Sequence, residues 1–336
     1  MKCQICGEEK LVSQTLKVCV DCIRENFEEV KPFIHRLHPH FNISDVCGNK
    51  EHCNLCINKC VLDNDKVSIC RLRTSEVKPD SKNAKLLSYY DRLPTNCVAS
   101  WVCKNKDRVF GKNLAVFFYG CSFNCLFCQN YTWRDIPKFF TTVEELLQKV
   151  NEDVKCICFF GGDPSCQLDF SINFAKKVLE KNSEINICWE TNGSFNPLFL
   201  EQILRIIYES KGCIKFDLKF FNENLNLALC GASNRNTLEN FKRAVKLSKS
   251  KKGHFPMVVA STLLIPGYVD EREIESIAEF IASLDKDIPY TLLGFWPHFL
   301  MKDLPPTSWE FALRCKQICL QKGLRYVKIA NEHILI

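Results

Sequence analysis

No uninterrupted apolar run in the 336 residues approaches the roughly 18 that a membrane-spanning helix needs, so no membrane partner is expected. The opening stretch, "MKCQICGEEKLVSQ", lacks the apolar h-region of a secretory leader, and a cytoplasmic location is the expectation. A concentrated basic tract is also missing. Lys and Arg outnumber Asp and Glu between Lys59 and Arg108, yet the formal net charge is only +6. Phosphate binding needs several cations on one face, so a nucleic-acid partner is weakly supported and a solvated face is the ordinary reading. Histidine is scarce, with 7 residues, and His254, His298 and His333 have no ligand spacing with another His, which leaves them structural roles.

Cysteine is what the chain has in excess. Its 22 cysteines, in a chain without an export signal, point to metal ligation rather than disulfides. Three sets stand out. Cys3, Cys6, Cys19 and Cys22 form Cys-x2-Cys-x12-Cys-x2-Cys, paired knuckles that suit a tetrahedral zinc ion; rubredoxin-like iron or bare thiols are the alternatives. In "CNLCINKCVLDNDKVSIC", Cys53, Cys56, Cys60 and Cys70 can close zinc or hold a second iron-sulfur cluster, and the spacing differs from the bacterial ferredoxin run. Cys47, Cys97 and Cys103 can replace or add a ligand there, although a lone cysteine is more often a small buried hydrophobe. The third set, in "YGCSFNCLFCQN", is Cys121, Cys125 and Cys128, with no fourth cysteine in the stretch. Three thiolates hold three irons of a 4Fe-4S cube and leave the fourth iron open to an outside ligand.

The grammar of the chain changes along its length. Residues 1–45 read as a zinc-ribbon-like segment and 46–110 as a cysteine-rich region, poor in long periodic elements and unable to fold on an apolar core alone. From about residue 111 short β-type runs alternate with amphipathic helical patterns. Strands are expected over 114–118, 156–160, 185–189, 214–217, 257–264 and 290–295. Helices are expected over 142–150, 168–181, 197–209, 237–249, 270–284 and 308–322, and a last short strand at "LRYVKI". The class is α/β, a partial (βα)6 barrel like a TIM barrel cut short, with functional residues in loops after the strand C-termini.

At Cys121, Cys125 and Cys128 the sequence resembles the radical S-adenosylmethionine (SAM) superfamily, and the resemblance extends from about residue 113 to the end. It implies that the amino and carboxylate groups of SAM chelate the open iron. "FFGGDPS" resembles the family's GGE-P segment: Gly161 and Gly162 admit close backbone approach, and Asp163, where Glu is usual, accepts from the SAM ammonium. "WETNGSF" and "KFDLK" resemble motifs of the pyruvate formate-lyase activating enzymes. By that likeness Glu190 lies near the SAM ribose or a cation, Asn192 is a secondary polar contact, and Asp217 and Lys219 stand on the cavity rim. In "LLIPGYVDE" the apolar residues before the turn face adenine, as does Phe127. The opening "CNLCINKC" and the closing "GLRYVKIAN" are similar to the AmmeMemoRadiSam type of activating-enzyme-like proteins, while the extra cysteines here precede the radical motif.

The expected activity is reductive cleavage of SAM, giving a 5′-deoxyadenosyl radical for hydrogen abstraction, with a one-electron donor of flavodoxin or ferredoxin type and a protein substrate as partners. The alternatives are a radical enzyme modifying a small molecule, lipid or nucleic acid, and an electron-transfer or nucleic-acid-binding metal module. Cys156, Cys158, Cys188, Cys213, Cys315 and Cys319 fall in barrel elements and are expected to pack the core. Cys166 and Cys230, read as loop residues after strands, are candidates for a radical relay or reactive thiol. Trp296 and His298, in "GFWPHF", can line the substrate mouth or plug the core.

Overall fold

A computed structural model of the chain describes residues 1–39, 52–62, 67–78, 80–95, 97–249 and 255–336. Cys47 and His254 lie outside the described residues. The front carries helices α1 (Val20–Glu25) and α2 (Phe27–Leu37), then strands β1 (Asn83–Ala84), β2 (Leu86–Arg92) and β3 (Lys112–Phe118). There follow β4 (Thr141–Thr142), α3 (Val143–Gln148), β5 (Val154–Gly161), α4 (Leu168–Lys181), β6 (Asn186–Thr191), α5 (Leu200–Ser210) and β7 (Ile214–Asp217). The chain closes with α6 (Glu223–Cys230), α7 (Arg235–Lys249), β8 (Val258–Leu264), α8 (Glu271–Leu284), β9 (Tyr290–Gly294), α9 (Trp309–Gln321) and β10 (Val327–Ala330). No helix among the described residues is long and apolar enough to cross a membrane.

Eight strands form one sheet in the order β10-β9-β8-β7-β6-β5-β3-β2. Every neighbouring pair is parallel except β2 with β3, and β1 with β4 makes a separate short antiparallel ladder. This is the expected partial barrel. The pleat divides its two faces: Ile157 and Phe159 of β5 are fully buried in the main core with the helices, while Cys156 and Cys158 fall in a different, cysteine-rich cluster. Helix boundaries follow side-chain caps. Asp270 accepts from the Glu273 N–H, Ser308 from the Phe311 N–H, and Thr142 forms a reciprocal capping box with Glu145.

The front borrows the barrel's core: Val18, Ile23, Val30 and Ile34 are fully buried in the cluster that holds the barrel's outer face. One expectation is corrected. Cys230 is the last residue of α6, not part of a loop, because Asn222 caps that helix at its start and Gly231, at φ 68°, ends it. Sequence reading also missed β2, whose "LLSYYDR" is half exposed and adds to the sheet edge by pairing with all of β3.

The four-cysteine front is fastened to the barrel at the "IPGYVDE" turn. Arg24, with 3% of its side chain exposed, donates to both Asp270 oxygens at 2.6 Å and to Glu273 at 3.2 Å. The Ser13 N–H donates to Tyr268 Oη at 3.0 Å, and a Cβ on Gly267 would sit 2.4 Å from the Leu11 carbonyl oxygen. Removing one partner of a buried, hydrogen-bonded ion pair costs about 3 to 5 kcal/mol. Arg24→Met is therefore expected to lower the unfolding free energy by about that amount, read from urea denaturation, whereas exposed Arg205→Met is expected to change it by about 0 to 1 kcal/mol.

His38 ties α2 to the barrel. Asn124 Nδ2 donates to its Nδ1 at 3.3 Å, so its Nε2 carries the proton and donates to the Ala228 carbonyl at 3.1 Å. Burial, with a smaller contribution from the nearby Arg134 guanidinium, pushes its pKa from 6.5 down to about 4. The unfolded chain thus takes up this proton first as pH falls. The associated stability is complete above about pH 6.5 and is lost toward about pH 4, to the extent of about 3 kcal/mol. Subtracting the pH profile of a His38→Leu variant from that of the wild type is expected to isolate this slope; identical slopes would refute it.

Candidate active site

The strand C-termini open on a cleft of about 350 Å³, within the usual range for small-molecule sites. Cys121, Cys125 and Cys128 line it from the loop after β3, together with Phe127, Gly161, Gly162, Asp163, Glu190, Asn192, Asp217 and Lys219. The structure thus brings the third cysteine set and these eight residues expected around it into one cavity.

The cysteine loop is held from three sides. The Asn124 and Leu126 N–H groups donate to the carbonyls of Cys230 and Leu229, at 2.7 and 2.9 Å. Asn192 Nδ2 donates to Ser122 Oγ at 2.9 Å and lies 3.8 Å from Cys121 Sγ, and Asn58 Nδ2 donates to the Ser122 carbonyl at 2.6 Å. Arg134 reaches Asn124 Oδ1 at 2.6 Å. The Cys230 thiol, hydrogen-bonded to Cys125, pulls the Cys125 pKa down, whereas burial pushes Cys121 and Cys128 up.

Asp163 is aimed inward, at the protein. Its carboxylate accepts from the Ser165 N–H at 2.7 Å, the Asn192 N–H at 2.6 Å and Thr191 Oγ1 at 3.0 Å, while burial pushes its pKa up. It therefore clamps the β5 turn to the β6 turn, and the glycines present backbone to the cleft. A Cβ on Gly162 would stand 2.2 Å from the Gly120 carbonyl oxygen, so only glycine fits where the β5 turn crosses the loop after β3. Asp163→Ala leaves three donors without their acceptor and is expected to cost about 3 kcal/mol. The check is a lowered melting temperature with Asp163→Asn intermediate; an unchanged melt for the alanine variant would show that the clamp is not structural.

The opposite wall is charged. Lys219 pairs with Asp217 and sits 5.8 Å from the Phe127 ring centroid. Asp217 Oδ1 is buried with no hydrogen-bond partner among the described residues, an acceptor that a donor on a bound ligand satisfies. With three thiols beside it, this orphaned acceptor makes the cleft fit a polar ligand held next to a thiolate-bound cluster.

Residues 115–281 match the model described as the Radical SAM superfamily. The chain carries a radical SAM domain. It is 29% identical over 213 residues to a protein of Methanocaldococcus jannaschii provisionally named a glycyl-radical enzyme activating enzyme, covering 62% of this chain and 77% of that one. It is 28% identical over 236 residues to the pyruvate formate-lyase 1-activating enzyme of Escherichia coli strain K12, covering 63% and 90% of the two chains. Among solved structures it is similar to a domain of the pyruvate-formate lyase-activating enzyme from Bacteroides vulgatus, at 24% identity and a TM-score of 0.43, covering 52% of this chain and 98% of that domain. This is an enzyme of the radical SAM superfamily, whose members take a 4Fe-4S cluster and SAM.

The remaining predicted residues separate into distinct places. Cys3, Cys6, Cys19 and Cys22 bring their sulfurs within 4.8 Å of one another, with Cys3 to Cys22 at 3.8 Å and Cys6 to Cys19 at 4.0 Å. Ligation at about 2.3 Å around a tetrahedral ion separates sulfurs by about 3.8 Å, so the front set fits a single ion. The Cys53 N–H donates to the Cys60 carbonyl at 2.8 Å, and Cys56 bridges to Phe195 beside the radical SAM loop. Cys166 does not reach the cleft wall; it is buried against Cys70, whose pKa its thiol draws down to about 6. Trp296 is about half exposed and the His298 ring lies tilted against Tyr131 at 5.7 Å, both outside the cleft lining.

Of the "LLIPGYVDE" segment, Leu263 lines the radical SAM cleft, whereas Gly267, Tyr268 and Asp270 serve the front segment as its dock. Sequence reading did not place Cys97, Val98, Leu293 and Asn331 in the lining. Asn331 carried a signal, as the last residue of the closing motif, and takes a left-handed φ of 59°. Cys97 carried none, because a single cysteine in irregular chain says nothing about which cavity it meets.

Proposed function

We propose that the protein cleaves SAM reductively and uses the resulting radical to abstract hydrogen from a partner protein, in the manner of a glycyl-radical activating enzyme. The observation that carries this reading is the convergence on one cleft of Cys121, Cys125 and Cys128 with the Gly161–Gly162 backbone and the unsatisfied Asp217 oxygen. Its likeness to enzymes named as glycyl-radical and pyruvate formate-lyase activating enzymes supports the partner class.

In this reading Cys121, Cys125 and Cys128 would hold a 4Fe-4S cluster, which would supply the one-electron chemistry of reductive SAM cleavage. The chain's own residues do the rest. Phe127 and Leu263 give adenine an apolar seat, Asp217 and Glu190 accept from ligand donors, and Lys219 balances the charge of Asp217. Asn192, Asn58 and the end of α6 keep the cysteine loop from shifting, and the enclosing strands keep water from the reacting carbon. The electron comes from a flavodoxin- or ferredoxin-type donor. Zinc is assigned to Cys3, Cys6, Cys19 and Cys22, whose sulfurs converge. Cys53, Cys56, Cys60 and Cys70, whose sulfurs do not draw together as the front set's do, are assigned a second metal or cluster on their spacing, with Cys166 against Cys70.

Anaerobic reconstitution with iron and sulfide, followed by dithionite and SAM, is expected to yield 5′-deoxyadenosine. Cys125→Ala is expected to lower the yield at least about 100-fold, since loss of a positioned catalytic unit removes several kcal/mol of barrier reduction. A variant that retains full yield, or a cluster-replete wild type that makes none with candidate partner proteins present, would sink the reading.

A further inference from the structure

Glu190 and Lys215 stand directly opposite each other on β6 and β7. Their chain neighbours Trp189, Ile214 and Phe216 are buried in the helix-facing core, so the pleat turns Glu190 and Lys215 to the inside of the barrel. Side chains of directly opposed residues meet across a sheet, and here Lys215 Nζ lies 3.7 Å from a Glu190 carboxylate oxygen. Strand register itself makes the contact.

The pair is lopsided. Lys215 has 1% of its side chain exposed and borders the small void below the cleft, whereas Glu190 keeps 30% exposed and lines the cleft. The other neighbours of the ammonium are Cys158 Sγ at 3.0 Å and Cys97 Sγ at 3.1 Å. A thiol sulfur is a weak acceptor without charge, so Glu190 is the group that balances the buried cation. Among the described residues no other cation pairs with Glu190.

One step further along the same face of β7, Asp217 pairs with Lys219. Each of these two cleft carboxylates therefore has an ammonium of its own, and neither needs a cation from solution. The difference between them is direction. Lys219 shares the cleft with its partner, while Lys215 approaches Glu190 from the lumen side and takes up no room in the cleft.

We propose that Lys215 is a positioning residue for ligand binding, a built-in counter-cation that holds Glu190 ionised and aimed at the hydroxyl groups of the bound nucleoside. This role rests on the SAM reading and narrows it. By likeness Glu190 stands near the ribose or a cation; Lys215 fills the place of the cation and leaves the second carboxylate oxygen to a ribose hydroxyl. A glutamate held in place before the ligand arrives loses less side-chain freedom on binding, which is how a residue outside the cleft raises affinity.

The test is SAM binding by calorimetry to the anaerobically reconstituted full chain, at constant ionic strength, with tetramethylammonium chloride and then with potassium or ammonium chloride. Wild type is expected to bind equally in all three salts. Lys215→Met is expected to lose about 10-fold in affinity in tetramethylammonium, the worth of one hydrogen bond to a charged group, and to regain most of it with the small cations. Glu190→Gln leaves the ammonium stranded in the interior, so it is expected to lower the urea midpoint more than Lys215→Met does, and no salt restores its affinity. A folded Lys215→Met protein with wild-type affinity overturns the proposal, and so does a loss that small cations leave unchanged, which is the mark of packing alone. Wild-type binding that itself requires potassium overturns it as well. If Lys215→Met does not fold, this wild-type comparison decides. A cluster-loaded wild type that binds no SAM in any salt is a failure of the SAM reading and takes this role with it, whereas the other outcomes leave that reading intact.

Discussion

The pleat of a parallel sheet allows each strand to serve two environments, and in this protein both environments are demanding. On the outer face Ile157, Phe159, Ile187, Trp189, Ile214 and Phe216 bury against helices and form the apolar core. The inner face, freed from that task, carries Cys156, Cys158, Cys188, Glu190, Lys215 and Asp217. A shift of one residue in any strand's register would exchange the two sets, sending charge and sulfur into the helical layer. The cleft, the lumen and the core therefore depend on one ladder of hydrogen bonds being in register.

A loop that presents three thiols to one cleft must be held without being buried away. Its supports here are polar and come from distant parts of the chain. Asn58 from the middle cysteine region, Asn192 from the β6 turn, the final carbonyls of α6 and the Asn124–His38 contact all converge on residues 122–126. Such contacts fix direction as well as position, which nonpolar packing does less well. The front segments are thus attached to the catalytic domain at its most sensitive loop, and the four-cysteine front is fastened to the α8 start through Arg24 and Asp270.

Much of this architecture was legible in the residues. The parallel strands and six helices from residue 142 on follow from period and caps: 168–181 matches α4 at both ends, because Leu168, Ile172 and Ala175 repeat at helical spacing and Lys181 ends the pattern. The short elements were not legible. α6 hides within a loop-like stretch because Asn222, Asn224 and Asn226 dilute its apolar pattern, and β2 has exposed tyrosines that mask its alternation. At the site, motifs gave the right residues for the lining but not their orientation. Asp163 looks like a ligand acceptor in the chain, while in the fold its carboxylate is taken by three neighbouring donors.

The sequence by itself determined the α/β order, the three local cysteine sets and the cleft residues that follow each strand, because all of these depend on spacing along the chain. Only the tertiary structure decided which distant groups meet. Cys97 and Cys103 are far from Cys158, Cys188 and Cys213 in sequence, and each reads alone as a small buried hydrophobe. Strand register and the insertion of the segment before β3 bring them around Lys215, and whether a thiol packs or ligates depends on that company.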